Sequence, residues 1–308
     1  MIGRLQTLVF NPIAELDLRQ RSRARSTGVV FMLWLLFGMV AAVIFAIAAG
    51  EASNDRFSSA TAAQIGRAGF EVMVGFLTML LIFLLPGLAA SSIAAERERQ
   101  ALLPIQTSQL GPWDILIGKM TGALAFAGLL LAAILPVIAV TVVVGGAGVT
   151  DLLRALFALM LCAVVLVGLS VAASGLVGST RNAVLLSYLG AFLLLIGPGL
   201  AAIALAVISA FNNGNSDVPV QLVYASPVML VADLVADPVA GGEAPLSAFS
   251  MEVRSEIATG TGFDFDGGED IDLIVPVWVR CLLFQGGLAA VGLVLASRRL
   301  QVPAEFER

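Results

Sequence analysis

Long runs without charge dominate the pattern of apolar and polar positions along this chain. Residues 26–50, 72–95, 120–150, 155–180 and 182–216 contain no Asp, Glu, Lys or Arg. A sixth clean run, 281–297, extends outward through Leu273–Val279 once Arg280 is allowed to snorkel toward headgroups. A hydrocarbon core of about 30 Å needs about 20 helical residues at about 1.5 Å each. The pattern therefore predicts six membrane-spanning helices, at 28–49, 72–93, 120–143, 154–176, 183–208 and 276–297. Ala46-Ile47-Ala48 loosely fits a signal cleavage site, but the apolar run before it and the basic leader are both too long for one. The first helix is expected to be retained.

Composition agrees with that reading. Of 308 residues, 59% are hydrophobic and 13% charged, about half the charged share of soluble domains. There is no His, which excludes a His-based triad or a His-rich zinc site within this chain. Cys162 and Cys281 lie in apolar stretches and read as buried thiols, not a disulfide framework. Arginine placement sets the orientation. The leader (Arg4, Arg19, Arg21, Arg23, Arg25), the connection after span two (Arg97, Arg99, Lys119), Arg181 and the tail (Arg298, Arg299, Arg308) fall on one side. Arg56, Arg67, Arg154, Arg254 and Arg280 fall on the other, over longer connections. Both termini are thus expected in the cytoplasm.

The expected organisation is an all-α polytopic membrane protein. Residues 1–27 form a cytoplasmic amphipathic interfacial helix, with Leu5, Leu8, Val9, Ile13 and Leu16 near helical spacing and Asn11-Pro12 as a start signal. Its plainer reading is a basic anchor. Residues 28–209 hold spans one to five, interrupted by a cytoplasmic segment at 94–119, and 276–297 form span six before a tail at 298–308. Between them, 210–275 is an outer connection with eleven acids against the single base Arg254. Ser226-Pro227 opens one short helix there, and Phe249, Val253 and Ile257 mark a second from 247 to 258. Asp264–Asp270 departs from the EF-hand pattern, with Gly268 at the fifth position and Glu269 where glycine is required, so no metal site is expected.

In the 94–119 segment, span two runs on as a helix through Glu96–Arg99; Pro104 ends it, and Asp114 or Gly111-Pro112 opens the next. Leu102, Leu103 and Ile105 are apolar residues in a cytoplasmic connection, as expected of a hairpin that docks into a partner, or of a solvated helix end with scattered leucines. Pro86-Gly87, Pro136 and Gly197-Pro198-Gly199 break the helical hydrogen-bond ladder inside spans. Pro86, Gly197, Pro198 and Gly199 are the candidates for gating, against the background that Pro and Gly are common in membrane helices. Glu71, Arg154 and Arg280 sit near the outer ends of spans; snorkelling is the default, and a Glu71–Arg280 or Glu71–Arg154 pair facing a cavity is the sharper alternative.

Two of these stretches carry a family resemblance. Asn11-Pro12-Ile13-Ala14-Glu15 with Arg19, Arg21 and Arg23, and Ile93-Ala94-Ala95-Glu96-Arg97-Glu98 continuing to Gly118-Lys119, resemble bacterial ABC-2 type permeases, the membrane subunits of ABC transporters. Tyr224-Ala225-Ser226-Pro227 is similar as well, and the resemblance spans the full chain. One departure is Gln100-Ala101-Leu102-Leu103-Pro104, where family members commonly carry Gly/Lys-Thr-Leu/Ile-Glu. The resemblance implies that Glu96, Arg97, Glu98, Arg99, Leu102 and Leu103 meet an ATPase subunit, and that Asn11, Pro12, Glu15 and Arg19 belong to the interfacial connecting helix. It also implies a multi-pass protein of the bacterial inner membrane, with two ATPase copies, a second permease subunit (homo- or heterodimer) and lipid as partners, and no nucleic acid.

The chain has no P-loop. Gly118-Lys119 is its single Gly-Lys pair, with Trp113 where the first glycine belongs and Met120 after it. No catalytic residue is therefore expected, and ATP with Mg²⁺ belongs to the partner subunit. Apolar spans with few charges favour export of a lipid-like or hydrophobic substrate. The alternative is a non-transporting sensor or scaffold subunit of an ABC-type complex. An intramembrane enzyme would need a convergent nucleophile–base pair, and a channel or secondary transporter would need charges inside the spans.

Overall fold

The computed structural model describes residues 25–54, 59–98, 111–144, 147–213, 220–236, 244–260 and 276–300. Expectations for Asn11, Pro12, Glu15 and Arg19, for Arg99, Leu102 and Leu103, and for the acidic run 264–270 fall outside these residues. Among the described residues there is no strand. Nine α-helices are described: α1 (Arg25–Asn54), α2 (Ser59–Ala89), α3 (Ser91–Glu98), α4 (Pro112–Val144), α5 (Val149–Leu176), α6 (Thr180–Asn213), α7 (Pro227–Val235), α8 (Pro245–Gly260) and α9 (Val277–Leu300). A 3₁₀ turn, Val220–Ala225, precedes α7.

Five segments are long and apolar enough to cross a bilayer: Gln64–Glu98, Pro112–Ala139, Val149–Leu176, Thr180–Ala201 and Val277–Leu300. In α1 the described apolar stretch, Gly28–Ile44, is shorter. A helix satisfies its own backbone, which is why these sequences can sit in hydrocarbon at all. Their outer faces carry exposed Met32, Leu36, Leu189, Leu193, Leu283 and Val291. In water that surface would drive aggregation; in lipid it is the matching solvent. The architecture is that of an all-α, multi-pass membrane protein.

Helix α5 is the centre. In its most apolar window 67% of residues are buried, against 28% in α6 and 22% in α9, so the latter two are peripheral. Small residues let α9 approach α5 closely. A Cβ added to Gly168 would lie 3.4 Å from Ala289 Cβ, one on Gly292 3.0 Å from Ala172 Cβ, and one on Gly175 2.7 Å from Ala296 Cβ. These pairs ascend together in both helices, so α5 and α9 run parallel. Helix α1 leans on α4, where the buried Trp34 donates Nε1–H to Leu130 O at 2.9 Å.

Helix starts follow local chemistry. In α4, Pro112 opens the first turn and Asp114 Oδ2 accepts the Gly111 N–H at 2.9 Å; in α5, Asp151 Oδ2 accepts the Gly148 N–H at 2.8 Å. Helix α2 continues through Pro86 and α6 through Pro198. Near Pro86, Tyr188 of α6 donates its hydroxyl to Phe83 O at 2.9 Å. Gly87 makes room for that ring, since a Cβ there would lie 2.6 Å from Tyr188 Oη.

Candidate functional site: polar clusters at the two ends of the bundle

Buried or paired charge gathers in two places. Glu71 and Glu96 mark them on the α2–α3 rod, 25 residues apart by sequence number and hence about 37 Å apart along a helix.

The Glu96 end is a joint at which α3, α4, α5, α6 and α9 meet. Helix α2 breaks at Ala90 and restarts as α3, and the Ile93 and Ala94 amides donate to Ser174 Oγ of α5, both at 3.0 Å. Glu96 Oε1 meets Lys119 Nζ of α4 at 2.5 Å. Arg97 Nη1 donates to Val177 O at 3.2 Å. Glu98 accepts from Thr180 twice, from the backbone N–H at 2.8 Å on Oε1 and from the hydroxyl at 2.7 Å on Oε2. Arg299 of α9 donates to Leu176 O. The logic is that of helix ends. The last carbonyls of α5 are electron-rich and receive two arginines; the first amide of α6 is electron-poor and receives a carboxylate.

The Glu71 end fastens the short helices. Glu71 is 0% exposed. Its Oε1 accepts from Arg67 Nε at 3.0 Å and Ser247 Oγ at 2.5 Å; its Oε2 accepts the Leu246 and Ser247 amides, both at 2.9 Å. Glu71 is therefore the N-terminal cap of α8, supplied from another helix. Arg67 also reaches Asp151 Oδ2 at 3.1 Å and the carbonyl of Val235, the last residue of α7, at 2.5 Å. Asp233 repeats the device. It accepts from Ser250 Oγ at 3.0 Å, Arg254 Nε at 2.8 Å and the Trp278 amide at 2.9 Å, so it caps α9 while tying α7 to α8. Arg280 Nη1 donates to Tyr224 Oη at 3.1 Å, and Gln285 Nε2 donates to Tyr224 O at 3.0 Å.

Glu71 thus pairs with neither Arg280 nor Arg154, and it does not snorkel. Its partner is Arg67, one turn earlier in the same helix. Arg154 is exposed and, among the described residues, reaches Asp151 alone, at 3.9 Å.

Of the sequence-derived site residues, Glu96, Arg97 and Glu98 come together, with their side chains engaged inside this chain. Pro86 and Pro198 are buried within α2 and α6; Gly197 lies beside Leu193, and Gly199 has nothing within 4 Å of a Cβ position. Thr180, Val177 and Ser174 at one end, and Asp233 at the other, are the residues that sequence reasoning did not select; Glu71 was singled out, but with the wrong partners. For Glu71 one signal was available, the i, i+4 spacing from Arg67. At the level of Glu71, α1 and α2 flank an open cleft of about 610 Å³ lined by apolar residues, including Phe37, Val40, Ile44, Val72, Met73 and Phe76. Among the described residues no group of His, Cys, Asp and Glu is arranged to hold a metal ion.

The model of the family described as ABC-2 family transporter protein matches residues 11–299, nearly the whole chain. A comparison with curated proteins gives no match.

Proposed function

The chain belongs to the ABC-2 family of transporter proteins, and from that premise we propose that it is the permease subunit of an exporter for a lipid-like or hydrophobic substrate. The observation that carries the substrate class is the α1–α2 cleft, apolar throughout its lining and flanked by lipid-facing side chains. A charged solute would lose its hydration there without gaining a partner.

In this proposal α1 also crosses the membrane, giving six spans with both ends cytoplasmic in the bacterial inner membrane. The Glu96 end then faces the cytoplasm and the Glu71 end the exterior. A separate ATPase subunit, in two copies, binds ATP and Mg²⁺ and docks on the 94–119 segment, with Arg99, Leu102 and Leu103 among its contacts. Asn11, Pro12, Glu15 and Arg19 form the interfacial helix beside it. A second permease subunit completes the translocation path. Closure of the ATPases shifts the population between two packings of the helices, and Pro86 with Gly197-Pro198-Gly199 lets α2 and α6 bend between them.

The test is purification of the tagged protein in mild detergent beside Arg99→Glu/Leu102→Asp/Leu103→Asp. An ATPase subunit is expected with the wild type and not with the folded variant. Absence of any ATPase from the wild type, even after crosslinking in native membranes, would end the exporter reading. Lipophilic compounds are expected to stimulate ATP hydrolysis by the complex. Stimulation by a small anion with no competition from lipophilic compounds would sink the substrate class.

A further inference from the structure

We infer that Glu98 is the positioning residue through which movement of the coupling segment reaches α6, an inference that rests on the reading of 94–119 as the ATPase-facing segment. Helix α3 is eight residues long, and three successive side chains near its end take hold of three different helices. Glu96 holds α4 through Lys119, Arg97 holds the end of α5 through Val177 O, and Glu98 holds the start of α6 through Thr180. Arg97 and Glu98 grip the two sides of one short turn, and each carries the charge that its helix end attracts.

The Glu98 contact is the one suited to transmission. Both carboxylate oxygens are used, each on a different donor of Thr180, so the contact fixes orientation as well as distance. Helix α6 is less buried than α5, with 28% of its apolar window buried against 67%, and it packs on α2, α3, α5 and the 3₁₀ turn. It is hydrogen-bonded to the α2–α3 rod at a second point, Tyr188 Oη to Phe83 O at 2.9 Å, about 12 Å further along the helix. Two polar attachments at different heights, one to α2 and one to α3, add to this packing and fix the tilt of α6 relative to α3.

A purely local cap for α6 would predict lost stability and unchanged response to nucleotide. The experiment separates the two in the complex with its ATPase subunit, using an environment-sensitive fluorophore on Ile203→Cys. Ile203 is 63% exposed near the far part of α6, and the two native cysteines are buried. Wild type is expected to show an emission change on adding ATP with vanadate. In complexes purified with their ATPase subunit, Glu98→Ala should reduce that change by at least about fivefold. Glu98→Gln, which retains an acceptor, should recover part of it, and Thr180→Ser should behave as wild type. Thr180→Val, which removes one of the two donors and leaves the carboxylate in place, should show an intermediate loss and decides the matter should Glu98→Ala not fold. A full emission change in both Glu98→Ala and Thr180→Val overturns the inference. So does loss of the ATPase from folded Glu98→Ala, which would make Glu98 a docking contact. Failure of the wild type itself to bring down an ATPase overturns the exporter reading first and this inference with it.

Discussion

Replacing Glu71 by Ala removes four hydrogen bonds from a carboxylate with no exposure to solvent: one from Arg67, two from the Leu246 and Ser247 amides, and one from the Ser247 hydroxyl. Breaking a buried ion pair by deleting one partner costs about 3–5 kcal/mol, and loss of a helix N-cap about 1 kcal/mol. The two do not simply add, because Arg67 keeps Asp151 and the Val235 carbonyl. The expected loss is therefore about 3–5 kcal/mol in total. It should also be local. Glu71 is the link from α2 to the start of α8, whereas α5 is held by its own close packing. Hydrogen exchange resolved by segment is the appropriate assay: 245–260 should lose protection, 227–235 should follow because Asp233 ties α7 to α8, and 155–175 should change little. Thermal unfolding in detergent gives the global figure. Glu71→Gln keeps the volume and one acceptor and should fall between wild type and Ala. Unchanged protection across 245–260 in a folded Glu71→Ala protein would refute the capping argument.

Three further outcomes are expected. Gly175→Val should destabilise by about 1–3 kcal/mol, since its Cβ would sit 2.7 Å from Ala296 Cβ, while Gly190→Ala, with nothing within 4 Å, should be neutral or gain about 0.5–1 kcal/mol from helix propensity; thermal unfolding compares them directly. Gly87→Ala should be destabilising through the 2.6 Å approach to Tyr188 Oη, and adding Tyr188→Phe should recover part of the loss, a positive coupling that a double-mutant cycle reads out. Asp233→Asn should cost about 1.5–3 kcal/mol by weakening the contacts to Arg254 and to the Trp278 amide, and should raise protease sensitivity within 244–260.

The long helices were legible because charge is scarce: the clean runs at 120–150, 155–180 and 182–216 lie within or along α4, α5 and α6. Local start signals were legible too. Ser226-Pro227 sits at the head of α7, and Gly111-Pro112 acts together with Asp114 at the head of α4. Helix ends were less so, because a charge was read as a boundary. Helix α2 begins at Ser59 and carries Arg67 and Glu71 inside it, which is possible only because distant groups satisfy them. Those partners lie at Val235, Leu246 and Ser247, some 170 residues away along the chain, and no local pattern announces them. The same holds for Glu96, Arg97 and Glu98. Their composition reads as a solvated helix end, yet their partners are Lys119, Val177 and Thr180. The small residues of α5 recur at positions 168, 172 and 175 and are visible as a stripe; that α9 fills it is a tertiary fact.

The seam between α5 and α9 has a consequence for the order in which the protein is completed during synthesis. Helix α9 leaves the ribosome after α1 to α8, so every earlier stage holds α5 with a Gly168–Gly175 furrow that Met120 and Ile93 only border, and lipid tails cannot fill it as Ala289, Gly292 and Ala296 do. Asp233 waits without the Trp278 amide, and Leu176 O without Arg299. Arrival of α9 fills the furrow and supplies both missing donors in one step. A nascent chain stopped short of residue 277 thus has its central helix in place but one side of it unsealed, and surveillance proteases of the membrane would meet it in that state.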